Sequence, residues 1–143
     1  MPNKTTSIAI DAFKDKLILE NIDMSLIEIT YLPDGDANTG LFHGFTNLKK
    51  ITLPTKLKNL GYSTFRNCSN LESINSPSTL ENISSRSFYQ CTKLSRIIIN
   101  NSITSIEEYA FYNCSSLNEI ILPDSLIEIG ISQNAFNGCS KFC

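Results

Sequence analysis

A phenylalanine recurs in this chain every 23 residues, and the residues around it recur with it. Phe65 opens the segment FRNCSNLESI, Phe88 opens FYQCTKLSRI and Phe111 opens FYNCSSLNEI. Phe42 opens the related FHGFTNLKKI 23 residues before Phe65, and Phe136 opens FNGCSKF 25 residues after Phe111. This period is not the heptad of a coiled coil, and it is shorter than the roughly 33–47 residues of helix-pair repeats. The chain is therefore expected to stack similar units in a row, because one unit alone cannot bury its apolar residues.

The second half of each unit has a shared pattern of its own. The segment TLPTKLKNLGYSTF follows Ile51 and ILPDSLIEIGISQNAF follows Ile120, which gives the form x-L-P-x-x-L-x-x-I before the next phenylalanine. The last link holds two extra residues within 130–134, which accounts for the longer step to Phe136. The paired apolar positions of this half are Leu57/Leu60, Leu80/Ile83, Ile103/Ile106 and Leu126/Ile129.

The N-terminal part is a degenerate copy of the unit. TSIAIDAF, ending at Phe13, matches TSIEEYAF, and Leu19 and Ile22 follow at the expected offsets. Leu26 and Ile29 are interpreted as the paired apolar positions, two residues early, and the eight extra residues that follow are assigned to a loop around YLPDGDANTG. We predict a single repeat domain over 1–143, with a degenerate repeat and its loop at 8–41, four clear repeats at 42–135 and a truncated repeat at 136–143.

A short strand is predicted at the junction of the two halves. In L-x-x-I-x-L the isoleucine and the second leucine are two positions apart, as are Ile97 and Ile99, so both face one side of a strand. A proline such as Pro54 then ends strand pairing because it lacks an N–H group. Ser76 takes the second apolar position in one unit, which predicts a local packing defect or a polar contact.

The complete unit resembles the BspA-like, or Treponema pallidum-type, leucine-rich repeat. The family layout is L-x-x-I-x-L-P-x-x-L-x-x-I-x-x-x-A-F-x-x-C, and residues 117–136 are its best copy here. The resemblance covers Phe42 to the C-terminus well and residues 8–29 loosely. It implies an α/β repeat fold, a leucine-rich-repeat solenoid with a parallel sheet of short strands on the concave face. Short helical or irregular segments are expected on the convex face.

The resemblance also implies a function. Proteins of this family resemble surface antigens and adhesins of bacteria and parasitic protists, which bind host proteins, other cells and extracellular matrix. We therefore expect a protein-interaction or adhesion module, with a host, matrix or same-cell protein as its partner and with no catalytic residue, cofactor or metal. A structural spacer or stalk of a larger surface protein, with no ligand of its own, is the alternative. A cell-surface or secreted location is implied by resemblance alone, since MPNKTTSIAIDAFKDK lacks the apolar stretch of a secretion signal.

Side chains beside the inward isoleucine of each strand face outward and form the candidate binding surface. This surface is mixed and polar at its N-terminal end, and it gains two neighbouring isoleucines, Ile98 and Ile121, at the other. Exposed apolar side chains rimmed by polar ones are typical of a protein contact, although isoleucine also favours strands in general. The candidate partner-binding residues are Lys49, Lys50, Thr52, Glu72, Asn75, Arg96, Ile98, Glu119 and Ile121.

Four cysteines, Cys68, Cys91, Cys114 and Cys139, occupy the same position in successive units. Their spacing is not that of zinc sites built from C-x₂-C pairs. Stacking would place them roughly 4.8 Å apart per step, but side chains in a ladder run parallel and do not point at each other. Buried free thiols are therefore favoured over a disulfide or a metal site. Cys143 is expected to be exposed and able to crosslink two chains.

Two further features carry weaker signals for chemistry. His43 is interpreted as a solvated surface residue, since a catalytic triad would also need a nucleophile and an orienting acid beside it. The segment DGDAN at 34–38 resembles the start of a calcium loop, but the sixth and twelfth positions are Thr39 and Phe45 where glycine and glutamate are needed. An ordinary turn is favoured there over a calcium site.

Charge and hydropathy limit the other classes of partner. The formal net charge is -2, which provides no electrostatic reason to expect nucleic acid or an anionic membrane. No stretch approaches the ~18 consecutive apolar residues of a membrane span. The sequence stops at Phe142 and Cys143, where a further strand would begin. Either a fragment of a longer array or end-to-end self-association through the open sheet edge is expected.

Overall fold

Each unit contributes one short strand to a parallel sheet. The computed structural model describes residues 7–127 and 131–140. Its elements are β1 (Asn21–Asp23), β2 (Lys50–Thr52), β3 (Ser73–Ile74), β4 (Asn82–Ile83), β5 (Arg96–Ile98), β6 (Ser105–Ile106), β7 (Glu119–Ile121) and α1 (Asp124–Ile127). The main sheet has the order β1-β2-β3-β5-β7 with all pairs parallel, and β4 and β6 pair separately.

The register of the main sheet places the isoleucine of each unit in one row. Ile22 pairs with Ile51, Ile51 pairs with Ile74, and Ile97 pairs with Ile120. In β2 and β5 the central isoleucine is buried and its two neighbours are exposed. One face of the sheet therefore covers the core and the other faces solvent. The predicted parallel sheet of short strands is confirmed.

A second ladder runs through the later half of the units. Tyr31 bridges to Asn59, Asn59 bridges to Asn82 in β4, and Ile106 in β6 bridges to Ile131, all in parallel. The sequence pattern predicted only short helical or irregular segments in this region. Among the described residues the helix is confined to α1, and most of the rest consists of turns and bends.

The phenylalanines that mark the repeat form a continuous stack inside the molecule. Neighbouring rings lie 5.1–5.4 Å apart between centroids and within 2–11° of parallel. Stacked or offset aromatic pairs contribute about 0.5–1.5 kcal/mol beyond the burial of their area. The stack therefore adds a specific contact between every two units to the general burial of apolar surface. Its members are Phe42, Phe65, Phe88, Phe111 and Phe136.

The first unit corrects one sequence prediction. Leu26 is 94% exposed, whereas Ile29 and Leu32 are buried at 1% and 2%. The bridge between Tyr31 and Asn59 places Leu32 level with Leu60, so the paired apolar positions are Ile29 and Leu32, not Leu26 and Ile29. The reason is a turn after β1, closed by the Ile27 N–H donating to the Met24 carbonyl, which takes up the extra residue and leaves Leu26 outside. Ile129, predicted as a paired position of the last unit, lies outside the described residues.

In the third strand unit a serine replaces the second apolar residue of the strand motif. This replacement has both consequences that the sequence predicted. Ser76 accepts a hydrogen bond at 3.1 Å from the Asn100 side-chain amide, which also donates to the Pro77 carbonyl at 2.8 Å. Beside it lies a small cavity of about 10 Å³, whose walls include Leu53 and Phe88. That volume is at the lower limit for holding one water molecule.

Candidate functional site

All nine candidate partner-binding residues are exposed, and each lies in a strand of the main sheet or directly beside one. Six of them flank the inward isoleucines within β2, β5 and β7, because successive side chains of a strand point to opposite faces. Lys49 and Glu72 immediately precede β2 and β3, and Asn75 immediately follows β3. We call this surface the strand face. It consists of Lys49, Lys50, Thr52, Glu72, Asn75, Arg96, Ile98, Glu119 and Ile121.

Two isoleucines form an exposed apolar patch on the strand face. Ile98 of β5 pairs in register with Ile121 of β7, and each keeps 49% of its side chain exposed. Next to them, the Arg96 Nε lies 3.3 Å from the Glu119 Oε2. Both partners of that ion pair are more than half exposed, so it contributes about 0–1 kcal/mol and is easily rearranged by a partner.

The other end of the strand face is charged. The Lys49 Nζ lies 3.0 Å from the Glu20 Oε2, again between two exposed side chains. Lys50 pairs in register with Asn21 on one side and Ser73 on the other, so no carboxylate stands opposite it in the sheet. The strand face therefore changes from a basic, polar end at β2 to an apolar end at β7.

Asn75 also has a role in the sheet itself. Its side-chain Oδ1 accepts a hydrogen bond at 2.9 Å from the Leu53 backbone N–H, across the gap where β3 has already ended. A buried backbone donor without such a partner would cost about 1–3 kcal/mol. The side-chain oxygen of Asn75 is therefore occupied by a hydrogen bond within the sheet. The side-chain NH₂ group of Asn75 is the part that a partner could contact.

The cysteines are structural parts of the stack. Each of the four thiols is fully buried and donates from its Sγ to the carbonyl of a phenylalanine one unit earlier, at 3.0–3.1 Å. The pairs are Cys68 with Phe42, Cys91 with Phe65, Cys114 with Phe88 and Cys139 with Phe111. The predicted burial of these thiols is confirmed. Cys143, predicted to be exposed, lies outside the described residues, as does Phe142.

Burial makes the thiols of Cys68, Cys91 and Cys114 chemically inert. It raises the pKa of the Cys68, Cys91 and Cys114 thiols well above the usual value, because a thiolate would lose its hydration. Only a thiolate attacks as a nucleophile or binds a metal strongly. Over residues 7–127 and 131–140 no group of three or more His, Cys, Asp or Glu side chains is placed to hold a metal ion.

His43 is half-buried, not the freely solvated residue that the sequence predicted. Its Nδ1 lies 2.6 Å from the Asn38 carbonyl, and its Nε2 lies 3.3 Å from the Asn67 side-chain amide. The imidazole therefore fastens the inserted loop to the next unit. Its hydrogen-bond partners are a carbonyl and an amide, which do not make it a general base.

The acidic loop is a turn that closes on itself and on the neighbouring unit. The Asp36 Oδ1 accepts from the backbone N–H groups of Asn38 and Thr39 at 2.7 and 2.9 Å, and the Asp34 Oδ1 accepts from the Tyr62 N–H at 2.9 Å. The N–H of Asn38, with further help from Thr39, holds the pKa of the Asp36 carboxyl below its usual value. The carboxylates are thus occupied by local hydrogen bonds, as expected for an ordinary turn.

A second surface, which the sequence analysis missed, lies beside the phenylalanine stack. It forms a cleft of about 470 Å³ whose walls include Arg66, Arg86, Tyr89, Tyr109 and Tyr112. The strand columns give no hint of it. Arginine and tyrosine occupy two other columns in the middle units: Arg86 and Tyr109 lie two positions before a phenylalanine, and Arg66, Tyr89 and Tyr112 lie one position after one. We call it the tyrosine–arginine cleft, and we count as its residues Tyr62, Arg66, Arg86, Tyr89, Tyr109 and Tyr112.

Comparison of the fold with solved structures shows repeat proteins of the same kind. The Treponema pallidum leucine-rich repeat protein TpLRR matches with a TM-score of 0.76 and 25% identity, over 85% of this chain and 56% of that one. A leucine-rich cell surface protein from Faecalibacterium prausnitzii matches with a TM-score of 0.75 and 24% identity, over 85% and 30%. A leucine-rich repeat protein from Bacteroides ovatus matches with a TM-score of 0.59 and 23% identity, over 85% and 38%. The chain thus spans about half of TpLRR and less than a third of the F. prausnitzii protein.

The family comparison agrees with the fold. A search of curated proteins finds no significant match. No helix among the described residues is both long and apolar enough to span a membrane. Leucine-rich repeats generally act as protein-interaction modules and are typically not enzymes. The model of the BspA type leucine-rich repeat region matches residues 36–143 in six copies, and the chain therefore belongs to the BspA type leucine-rich repeat family.

Proposed function

We propose that this chain is an adhesion module that binds a host-cell, matrix or same-cell protein through the strand face. The observation that carries the proposal is the exposed pair Ile98 and Ile121, in register on adjacent strands. Such a pair gains about 25 cal/mol for each Å² of apolar surface that a partner removes from water. The weak ion pair between Arg96 and Glu119 supplies adjustable polar contacts at its rim.

Two comparisons support this proposal. Repeats of this family generally serve in protein interactions, and the similar F. prausnitzii structure is that of a leucine-rich cell surface protein. We therefore propose a cell-surface or secreted location for the whole protein as well. Binding without a cofactor or a catalytic step fits a surface whose polar groups are simple side chains on a rigid sheet.

The test is binding to a panel of purified matrix proteins and to host cells, measured by biolayer interferometry and by cell adhesion. The double variant Arg96→Glu/Ile98→Asp places two carboxylates on the strand face. It is expected to weaken binding at least ~10-fold, since the partner would exclude water from both of these side chains. Leu26→Asp is the control, because it adds a carboxylate at an even more exposed apolar residue outside the strands. It should leave binding unchanged.

Thermal unfolding must show that both variants remain folded. If the folded double variant binds every ligand of the panel as tightly as the natural sequence, recognition by the strand face is wrong. The chain would then be a spacer or stalk segment without a ligand of its own.

A further inference from the structure

We propose that the tyrosine–arginine cleft is a second binding site, and that its ligand is an acidic glycan carrying sulfate or carboxylate groups. The proposal is independent of the strand face, because the cleft is built from positions next to the repeat phenylalanines and shares no residue with the main sheet. Its support is the arrangement of two guanidinium groups and four phenol rings, together with their charge and the state of the backbone around them.

The cleft side chains form two stacked rows. In one row the Arg66 guanidinium lies over the Tyr89 ring at 4.8 Å, and Tyr89 stacks on Tyr112 at 4.7 Å. In the other row the Arg86 guanidinium lies 5.5 Å from the Tyr62 ring and 5.3 Å from the Tyr109 ring.

An edge-on contact of 5.7 Å between Tyr109 and Tyr112 joins the two rows. Each guanidinium thus lies over at least one ring, a contact that orders it before any ligand arrives. Preorganised arginine loses less side-chain entropy when it binds an anion.

No ion pair among the described residues neutralises the positive charge of the cleft. Neither Arg66 nor Arg86 is ion-paired within residues 7–127 and 131–140, where the ion pairs are made by Lys49, Lys56, Lys58 and Arg96. The buried Nε of Arg66 likewise has no hydrogen-bond acceptor among these residues. Two ordered and uncompensated guanidinium groups in one cleft attract a planar or tetrahedral oxoanion, since their parallel N–H groups match carboxylate and sulfate oxygens.

The backbone around the cleft argues against an extended peptide as the ligand. The Arg86 N–H donates to the Glu108 carbonyl at 3.2 Å, the Tyr89 N–H to the Arg86 carbonyl at 3.2 Å, and the Tyr112 N–H to the Tyr109 carbonyl at 3.1 Å. These donors are used within and between units, so they offer no open strand edge for a peptide to pair with. Recognition must rest on side-chain N–H and O–H groups.

The ring faces argue against nucleic acid. Single-stranded nucleic acid is held by bases that stack on open aromatic faces along an extended basic groove. Here Tyr89 is covered by Arg66 on one side and stacked on Tyr112, so its faces are occupied. The cleft instead offers phenol hydroxyls beside guanidinium groups. Sugar hydroxyls bearing a sulfate or carboxylate match that set of donors and acceptors.

The test uses isothermal titration of the intact chain with three tetrasaccharides: a heparin-type sulfated one, a hyaluronan one bearing only carboxylates, and uncharged maltotetraose. Binding of one or both acidic sugars, without binding of maltotetraose, is expected, and the two acidic arms tell which oxoanion is preferred. The double variant Arg66→Gln/Arg86→Gln should weaken that binding roughly 10- to 100-fold, since two charge-assisted contacts are lost. Lys93→Gln removes one positive charge from an exposed residue outside both the cleft and the strand face, and it should have no effect.

The variant Arg86→Lys distinguishes the contribution of the positive charge to binding from that of the planar guanidinium group. Lysine keeps the charge but not the planar fork, so an affinity between those of the natural sequence and of Arg86→Gln is expected. This single variant also tests the proposal if the double variant does not fold.

Several results would overturn the proposal. One is equal affinity of the folded double variant and the natural sequence, and another is the same loss in Lys93→Gln. A third is binding of a poly-glutamate peptide with no binding of either acidic sugar, which would make the ligand an acidic protein segment. None of these outcomes bears on protein binding by the strand face.

Discussion

At the scale of single residues, phenylalanine and cysteine join each unit to its neighbour in different ways. The phenylalanine stacks on its equivalents, and its carbonyl accepts the hydrogen bond of a thiol in the following unit. A thiol is small and apolar enough for the core, yet it can still donate to a buried carbonyl. The cysteine column is therefore explained by packing and one weak hydrogen bond, and it needs no redox or metal chemistry.

The buried thiols predict a loss of stability in alkali. Burial raises the folded-state pKa of the Cys68, Cys91 and Cys114 thiols, so the folded chain holds these three protons more tightly than the unfolded chain, whose thiols ionise at about 8.5. Stability is fully present below that pH and falls as pH rises above it, by up to ~1.4 kcal/mol per pH unit for each buried thiol. Urea unfolding between pH 7 and 9.5 measures it. Cys91→Ala should flatten the decline by one thiol's share, and identical slopes in the two proteins would contradict the assignment.

The phenylalanine stack predicts a large penalty for one truncation. Phe88 is 1% exposed and its ring stacks on both Phe65 and Phe111. Phe88→Ala should lower the free energy of unfolding by about 3–5 kcal/mol, through lost burial and the cavity left behind. Chemical denaturation followed by circular dichroism measures this change. Phe88→Leu, which fills most of the space, should cost clearly less, and equal losses in both variants would show that the stacked ring is unimportant.

At the scale of elements, the turns around each phenylalanine depend on left-handed backbone. Gly44, Asn67, Gln90, Asn113 and Gly138 all have positive φ between 55° and 80°, and each follows its phenylalanine by two positions. Glycine and asparagine tolerate this region, whereas other residues with a β-carbon are strained there. Among these five residues, the glutamine is therefore the one least suited to left-handed backbone.

This column predicts a stabilising substitution. Gln90 has φ 58°, so Gln90→Asn should raise the free energy of unfolding by up to about 1 kcal/mol. Thermal and urea unfolding provide the measurement. Gln90→Ala is the control, because alanine lacks the short polar side chain that lets asparagine adopt this conformation, and it should bring no gain. A Gln90→Asn variant no more stable than Gln90→Ala would refute the explanation.

The same scale shows how far the sequence predicted the structure. The 23-residue spacing and the proline-terminated strand motif determine the main sheet and its register, because side-chain alternation allows only one pairing of the inward isoleucines. The first unit was misread because Leu26 is apolar, and only the tertiary structure shows that the turn leaves it in solvent. The second ladder was missed because its strands are two residues long, too short for a periodic signal. The tyrosine–arginine cleft was missed because stacking between units, not order along one strand, brings its side chains together.

At the scale of the whole molecule, contacts join neighbouring units, so stability is a sum of units and interfaces. The first described unit has a weaker interface than the central units. Phe13 is only partly buried and its ring is tilted by 38° against Phe42, outside the parallel stack, and Ile18 is 82% exposed. The central units have fully buried rings on both sides. Local opening should therefore begin at the first unit.

Hydrogen exchange tests whether the first unit opens more readily than the central units. The Met24 amide, which bonds to the Thr52 carbonyl between β1 and β2, should exchange at least ~10-fold faster than amides of β5, because opening the first unit breaks only one interface. Native-state exchange read by nuclear magnetic resonance or mass spectrometry measures both. Uniform protection across β1 and β5 would show that the whole chain opens as one cooperative block.

The stack of rings and thiols has a consequence for how such a chain can change its length. Each phenylalanine and each thiol meets the same kind of partner in the neighbouring unit, at nearly the same distance every time. Tandem duplication of 23 codons would therefore insert a unit whose interior is already complementary to both of its new neighbours. Meanwhile the outward columns are free to diverge, so copy number and surface chemistry can evolve separately.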